Sequence, residues 1–215
     1  MVSVIIPSYE RFDLLQNAIN SVYNQTYKDI EIIVVDDYSR DNRYLTLESD
    51  NRIKYIRLPQ RLGYPGKVRN VGIKNASGEW VAFLDDDDTW ENTKLEKQMS
   101  YSDKYKFISS DAFIDNRKYT REVYKQYWDN NNPEDKRELD LTILSRHNVI
   151  INSTTLIRKD LIESVGGYDE NHRNGEDHVT WIKILRTGEV CYYVDEPLMS
   201  YNIYSHKHYT DQLLS

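Results

Sequence analysis

EWVAFLDDDDTWE, residues 79–91, places four consecutive aspartates directly after a short apolar run. The run over residues 80–84 has the length and composition of a β-strand that is buried on both faces. Such strands in open α/β sheets end at the edge where ligands bind, so the aspartates are predicted at the carboxyl end of a strand. Adjacent carboxylates repel one another unless solvent, protonation or a cation relieves the repulsion. A hard divalent cation with oxygen ligands is the natural partner of this cluster.

One aspartate of the cluster has a second explanation. Asp88 is followed three residues later by Glu91, which is the spacing of a capping box, and Asp is a favoured N-cap residue. Asp88 could therefore begin a helix instead of binding a ligand. One cap explains one aspartate, and we assign the other three, Asp85, Asp86 and Asp87, to function.

Composition narrows the class of protein. The chain has 215 residues, of which 39% are hydrophobic, which suits one soluble domain with a substantial core. Its formal charge of -7 argues against nucleic acid as the main partner, because that binding depends on clustered Lys and Arg. No apolar run is long enough for a transmembrane helix or a signal peptide. The single cysteine, Cys191, favours a reducing, cytoplasmic setting.

The first half of the chain alternates strands and helices. Strands are predicted over residues 3–6, 30–35, 53–58 and 80–84, and helices over residues 14–23, 68–76 and 89–101. This alternation predicts a parallel sheet with right-handed crossovers.

The pattern changes after residue 102. Strands are predicted over residues 107–114, 122–127, 150–157, 190–194 and 198–204, and helices over residues 134–146, 159–165 and 175–185. We expect a smaller mixed β region here, with a flexible loop over residues 129–137 that is not a domain boundary.

Several motifs resemble a known family. SVIIPSYE, VVDDYS, GKVRNVGIKNASGEWVAFLDDDD, GGYDE and GEDHVTW, taken together, resemble the inverting family-2 glycosyltransferases, and they stand in the family's order between Val2 and about Trp181. The resemblance implies the GT-A fold, a Rossmann-like α/β architecture with a mostly parallel central sheet flanked by helices. It also implies one domain over residues 1–215, in which residues 1–102 bind the nucleotide and residues 103–215 lie on the acceptor side.

The resemblance implies a nucleotide pocket at the ends of the first two strands. It assigns Pro7, Tyr9 and Glu10 to that pocket and Asp37 to a hydrogen bond with the uracil ring, while Asp36 supports the turn. An aromatic face suits any nucleobase, although Tyr9 could also be a packing residue of the loop.

Two basic residues lie at the start of the helix that follows the glycine-bearing loop. Lys67 and Arg69 suit contacts with the base or the diphosphate, with Arg69 favoured by its position. Either side chain could instead be a solvated residue of the helix.

The family's D-x-D pattern corresponds to Asp85 and Asp87, with Asp86 between them. The resemblance implies that Asp87 binds Mn2+ or Mg2+ directly. Asp85 and Asp86 would then hold ribose hydroxyls or waters of the ion. Such an ion neutralises the charge that develops on a departing nucleoside diphosphate.

The resemblance makes Asp177 the general base, which takes the proton of the acceptor hydroxyl on the face opposite the leaving group. Asp177 and Glu176 are also favourable charges at a helix N-terminus, which does not exclude catalysis. His178 could contact a metal or a phosphate but is more typical of packing, and Trp181 is an acceptor platform or, more simply, core.

The C-terminal segment SHKHY contains His206 and His208. It could form a lid over the donor in which one histidine completes the metal site, or it could be a disordered tail.

The sequence therefore predicts a metal-dependent inverting glycosyltransferase of the hexosyltransferase type. Its substrates would be a nucleoside diphosphate sugar, in particular a UDP-sugar, and a hydroxyl acceptor in glycan or polysaccharide synthesis. Two alternatives stay open: a nucleotidyltransferase that makes nucleotide sugars, and a non-catalytic module that binds a divalent cation or a nucleotide. The first would carry a glycine-rich basic loop where this chain has PSYERFD, and the aspartates lack the spacing of an EF-hand.

Overall fold

The computed structural model describes residues 1–114, 117–118, 125–131 and 137–202. Its strands are β1 (Val2–Ser8), β2 (Ile30–Asp36), β3 (Ile53–Arg57), β4 (Trp80–Phe83), β5 (Thr89–Trp90), β6 (Phe107–Ile114), β7 (Arg117–Lys118), β8 (Glu138–Leu139), β9 (Leu156–Arg158) and β10 (Cys191–Tyr201). Its α-helices are α1 (Phe12–Tyr23), α2 (Pro65–Asn75), α3 (Lys94–Met99), α4 (Lys125–Asn131), α5 (Leu141–Leu144), α6 (Lys159–Ser164) and α7 (Glu176–Leu185), and short 3-10 helices cover Asn42–Ser49 and Asn152–Thr154.

A mixed sheet runs through both halves of the chain. Its strand order is β3-β2-β1-β4-β9-β6-β10-β5, with β7 paired to β6 and β8 paired to β10. The first four strands are parallel, β9 is antiparallel to both of its neighbours, and β6 and β10 are again parallel. The predicted parallel sheet and mixed β region are confirmed, and the two are joined through β9 into one sheet.

Helices cover both faces of this sheet. Alternate residues of β1 point to opposite faces, so Ile5 belongs to one buried cluster, whereas Val4 and Ile6 belong to the other. Helix α1 packs on the Val4 side and α2 on the Ile5 side. Gly72 lets α2 approach closely, because a Cβ at this position would lie 2.3 Å from Cγ2 of Ile5. The carboxyl ends of β1, β2 and β4 consequently meet at one edge of the sheet.

The helix predicted over residues 89–101 is wrong at its start. Thr89 and Trp90 form β5, which pairs with Ser200 and Met199 of β10, and α3 begins only at Lys94. The Trp90 ring is buried, and its indole N–H donates to the carbonyl oxygen of Ser153 at 2.8 Å. Pairing and burial of this large side chain override the local helix signal.

The second half differs from the predictions in several places. Residues 125–127 of the strand predicted over 122–127 belong instead to helix α4, and residues 122–124 lie outside the described residues. The predicted helix over 134–146 is replaced, in its described part, by β8 and the four-residue α5. Asp140 begins α5 by accepting the backbone N–H groups of Thr142 and Ile143. The strand predicted over 150–157 is divided into the 3-10 turn and β9, and the two late strands are one strand, β10. The helices predicted at 159–165 and 175–185 are confirmed as α6 and α7. In the first half, β1 is longer than the strand predicted over residues 3–6, because it continues through Pro7 to Ser8.

A buried arginine joins the two halves of the chain. Arg69 of α2 is 4% exposed and donates to Glu176 of α7 and to Asp85 after β4, at 2.6 Å in each case. Next to it, the Asn70 side chain donates to the backbone carbonyl of Tyr168 at 3.0 Å and accepts the Tyr168 N–H at 2.8 Å. These contacts fix α7 against the edge of the sheet.

No helix within the described ranges is both long enough and apolar enough to cross a membrane.

We expect Arg69→Met to lower the free energy of unfolding by about 3–5 kcal/mol, because it leaves two carboxylates in a buried site without their cation. Urea denaturation measures this change. Removing Arg69 takes away a charge that lowers the pKa of Glu176, so this pKa should rise further in the folded variant, and the loss of stability should be smaller at mildly acidic pH and larger at alkaline pH. Arg43→Met is the matched control, since Arg43 pairs with Asp13 and Asp41 in an exposed position. A loss in Arg69→Met no larger than in the control would contradict the bridging role.

Candidate active site

A cleft of about 490 Å³ lies at the sheet edge where β1, β2 and β4 end, between this edge and the N-terminus of α7. All predicted site residues except Glu10 and Lys67 line it, namely Pro7, Tyr9, Asp37, Arg69, Asp85, Asp86, Asp87 and Asp177. Residues as far apart in sequence as Pro7 and Asp177 thus line one cleft. This is the position that ligands take in parallel sheets, at the carboxyl ends of the strands.

Two predicted residues lie outside the cleft wall. The Glu10 carboxylate accepts the backbone N–H and the Nε–H of Arg40, at 2.9 and 3.0 Å, which holds the pKa of Glu10 below its usual value. Lys67 lies with its Nζ 4.7 Å from the centre of the Tyr64 ring. The assignment of Glu10 and Lys67 to the nucleotide stays a prediction.

The part of the cleft that the sequence predicts to bind the nucleotide contains an aromatic ring and a buried carboxylate. The guanidinium of Arg61 lies 4.0 Å from the centre of the Tyr9 ring. Asp37, 5% exposed, accepts the backbone N–H groups of Leu62 and Gly63 at 2.6 and 2.8 Å. Asp36 accepts the Ser39 N–H at 2.8 Å, which confirms its predicted role in the turn. Asp37 therefore holds the glycine-bearing loop against the end of β2.

Two aspartates of the cluster share one arginine that the sequence motifs do not single out. Nη1 of Arg11 lies 2.6 Å from Oδ2 of Asp87 and 3.4 Å from Oδ1 of Asp86. The Ser8 hydroxyl donates to Asp86 at 2.6 Å. Burial raises the pKa of Asp86 to about 7 despite these bonds. Arg11 compensates part of the negative charge that the sequence predicts here.

Asp88 is neither a helix cap nor a residue of the cleft wall, and the capping-box interpretation is wrong. Its carboxylate accepts the Ser153 hydroxyl at 2.6 Å and the Asn202 backbone N–H at 3.2 Å, and the residue is 1% exposed. Burial raises the pKa of this carboxyl. Asp88 connects the end of β4 to the 3-10 turn and to the end of β10.

Arg69 connects Asp85 of the aspartate cluster to Glu176 of α7. Asp85 accepts from Arg69 and also from the side-chain amide of Asn152, the latter at 3.1 Å. The Tyr168 hydroxyl donates to Oδ1 of Asn152 at 2.5 Å. Asn152, like Arg11, contributes to the site without having been predicted.

Asp177 lies at the start of α7 and faces the cleft. Its carboxylate accepts the His178 backbone N–H at 2.7 Å and the Asn148 side-chain amide at 3.0 Å. Burial raises the pKa of Asp177 above its ordinary value, although these two donors and Arg69 oppose the shift. A carboxylate with a raised pKa is a stronger proton acceptor than an ordinary aspartate.

His178 and Trp181, which follow Asp177 on α7, both contact other parts of the chain. Nε2 of His178 lies 2.6 Å from the carbonyl oxygen of Leu144. Trp181 is fully buried against the rings of Phe107 and Tyr168, with centroid distances of 5.1 and 5.6 Å. The core interpretation of Trp181 is therefore correct.

Acidic oxygens are the candidate metal ligands of the cleft. Among the described residues, no three His, Cys, Asp or Glu side chains are placed to hold an ion together. Mg2+ in nucleotide sites is bound by one or two carboxylates and by substrate phosphates, with water in the remaining positions. Asp85 and Asp87 at the cleft wall fit that donor set. His206 and His208 lie outside the described residues.

Known glycosyltransferases are similar to this chain along most of its length. An uncharacterized glycosyltransferase of Rickettsia felis is 34% identical over 197 residues, which cover 88% of this chain and 31% of the relative. The putative teichuronic acid biosynthesis glycosyltransferase TuaG of Bacillus subtilis is 30% identical over 212 residues, covering 94% of this chain and 79% of TuaG. This chain thus spans about a third of the length of the first relative and most of the second.

Solved structures share the fold at lower sequence identity. S. aureus TarS 1-349 in complex with UDP-GlcNAc matches with a TM-score of 0.76 and 22% identity, over 93% of this chain and 58% of that one. The mannosyltransferase PcManGT from Pyrobaculum calidifontis, in complex with GDP-Man and Mn2+, matches with a TM-score of 0.76 and 20% identity, over 94% of this chain and 56% of that one. These matches confirm the predicted GT-A fold.

The family model described as glycosyl transferase family 2 matches residues 3–166, which include most of β1, the aspartate cluster and Arg69. The chain belongs to glycosyl transferase family 2.

Proposed function

We propose that this chain transfers a hexose from a nucleoside diphosphate sugar, specifically a UDP-sugar, to an acceptor hydroxyl in glycan or polysaccharide synthesis, with inversion at the anomeric carbon. One observation carries the proposal: Asp85, Asp86 and Asp87 after β4 and the half-buried Asp177 of α7 line the same cleft. Arg69 connects the two groups by its bonds to Asp85 and Glu176. The complex of TarS with UDP-GlcNAc and the name of TuaG support the donor and the kind of product.

Both halves of the chain contribute to this proposed site. Residues 1–102 provide the nucleotide side, and residues 103–215 provide Asp177 and the acceptor side. Because β9 joins the two parts into one sheet, we treat residues 1–215 as one catalytic domain.

Tyr9 and Asp37 are the proposed contacts of the nucleobase. Both line the cleft, and the Tyr9 ring already supports the guanidinium of Arg61 on one side. A carboxylate has about four lone-pair positions. Asp37 therefore retains acceptor capacity for a uracil N–H after it has accepted two backbone N–H groups.

Asp87 is the proposed ligand of Mn2+ or Mg2+, with Asp85 and Asp86 facing the ribose hydroxyls or the waters of the ion. The complex of PcManGT with GDP-Man and Mn2+ supports this choice. When bound, such an ion supplies Lewis-acid stabilisation of the negative charge on the departing diphosphate. Arg11 contacts Asp87 directly, so it holds this carboxylate in place.

Asp177 is the proposed general base. It removes the proton from the acceptor hydroxyl while that oxygen forms a bond to the anomeric carbon, and the bond from this carbon to the diphosphate oxygen breaks with its electron pair. Attack from the face opposite the leaving group inverts the configuration. The raised pKa that burial gives Asp177 improves the match between base and hydroxyl.

We expect UDP to raise the melting temperature in the presence of Mn2+, with smaller effects of GDP and dTDP and no effect of UDP after chelation. A ligand that binds only the folded state stabilises it by about 2.7 kcal/mol at about a hundred times its dissociation constant. Asp87→Asn should abolish the shift, whereas Asp103→Asn, at an exposed position, should leave it unchanged. An undiminished UDP shift in Asp87→Asn would remove Asp87 from the donor site.

We expect Asp177→Asn to lower the release of UDP from UDP-glucose and UDP-GlcNAc by about 10²–10⁴-fold, because the general base is lost. The melting-temperature shift with UDP and Mn2+ should persist. In the wild-type chain the rate should fall as the pH decreases through the raised pKa of Asp177, since only the ionised carboxylate accepts a proton. Full turnover in Asp177→Asn would refute the assignment of the base, and no turnover by the wild type would favour a binding module.

A further inference from the structure

Both carboxylate oxygens of Asp177 accept a hydrogen bond, and the two donors differ in kind. The backbone N–H of His178 donates to Oδ1 at 2.7 Å, which is a local contact at the helix N-terminus. The amide Nδ2 of Asn148 donates to Oδ2 at 3.0 Å from a segment 29 residues away. The second contact depends on tertiary structure and on one side chain.

The orientation of the Asn148 amide is fixed by its other contact. Its Oδ1 accepts the backbone N–H of Ile150 at 3.2 Å. A flipped amide would place its oxygen against the Asp177 carboxylate and its NH2 group against the Ile150 N–H, so both contacts would be repulsive. Asn148 can therefore serve Asp177 only as a donor.

The segment that carries Asn148 is attached to the cleft on both sides. Before Asn148, the Leu144 carbonyl oxygen lies 2.6 Å from Nε2 of His178. After it, Asn152 donates to Asp85 at 3.1 Å, and the Ser153 hydroxyl donates to Asp88 at 2.6 Å. The Asn148 side chain thus projects from a segment that the site itself holds in place.

We propose that Asn148 is a positioning residue for the general base: its amide holds the Asp177 carboxylate in one orientation, so that a lone pair is directed at the acceptor hydroxyl. The inference rests on the proposed function of Asp177. A donor to a carboxylate favours its charged form, so removing Asn148 should also make Asp177 harder to ionise.

Besides the Asn148 amide, several charged or titratable groups lie near Asp177. They are Arg69 of α2, Asp85 after β4, Tyr168 before α7, and Glu176 and His178 of α7 itself. Arg69 favours the ionised carboxylate, and Asp85 opposes it. Asn148 is uncharged, so its replacement by Ala tests the hydrogen bond without altering the net charge of the site.

The experiment compares the wild-type chain with Asn148→Ala and the near-isosteric Asn148→Asp. Release of UDP from UDP-glucose and UDP-GlcNAc is followed against pH with Mn2+. Carbon-13 NMR of chains labelled at the aspartate carboxyl carbon gives the titration midpoint of Asp177 without any substrate, and Asp177→Asn identifies the signal. Asn75→Ala is the matched control, because the Asn75 amide donates to the Val71 carbonyl within α2.

In Asn148→Ala we expect a lower maximal rate of UDP release. The titration midpoint of Asp177 and the acid limb of the pH–rate profile should both move upward by about one pH unit, which corresponds to the free energy of one hydrogen bond to a charged group. Asn148→Asp should shift both further, because a second carboxylate replaces the donor. KM for the donor and the UDP-dependent melting shift should stay within about twofold of the wild type, since neither depends on the base.

An unchanged Asp177 midpoint in both Asn148 variants would overturn the inference. If Asn148→Ala does not fold, the titration midpoint of Asp177 in Asn148→Asp tests the inference alone, and an unchanged midpoint there would overturn it. Failure of the proposed function has a different signature, because Asp177→Asn would then retain full turnover whatever the Asn148 variants do.

Discussion

The buried guanidinium of Arg69 fixes the position of the aspartates after β4 relative to the acidic residues at the start of α7. A cation in a buried site is stable only where carboxylates compensate it and accept its hydrogen bonds. Asp85 after β4 and Glu176 at the start of α7 meet that requirement at 2.6 Å each. The strand that ends in the aspartate cluster and the helix that carries Asp177 are thereby held at one distance, which the proposed transfer between a donor and an acceptor requires.

The electrostatics of the cleft follow from this arrangement. Arg69 and Arg11 each contact two acidic residues, so the negative charge of the site is only partly compensated within the protein. A diphosphate would add negative charge beside Asp86 and Asp87 in a chain whose formal charge is already -7. A divalent cation with oxygen ligands resolves that conflict and is consistent with the proposed role of Asp87.

The sequence predicts the central strands well because strands buried on both faces are continuous apolar runs, as in VSVIIPS and WVAF. It also places most of the cleft, since the predicted residues lie at strand ends that a parallel sheet brings together. It fails where tertiary contacts override local pattern. Thr89 and Trp90 pair with β10, and residues 152–154 form a turn that bonds the aspartate cluster.

The missed site residues share one physical reason. Arg11, Asn148 and Asn152 have common polar side chains in stretches without a distinctive spacing, and each acquires its role from a partner 29 to 76 residues away. Asp88 was misassigned for the same reason, because its partner Ser153 is 65 residues distant. Local periodicity contains no information about such pairs.

The stereochemistry of transfer tests the central claim most directly. With Mn2+ and UDP-glucose or UDP-GlcNAc labelled with carbon-13 at the anomeric carbon, NMR identifies the anomer that forms first when the sugar is transferred or released to water. A single-displacement reaction with Asp177 as the base predicts that the first product has the anomeric configuration opposite to that of the donor. A first product that retains the donor configuration would contradict the account.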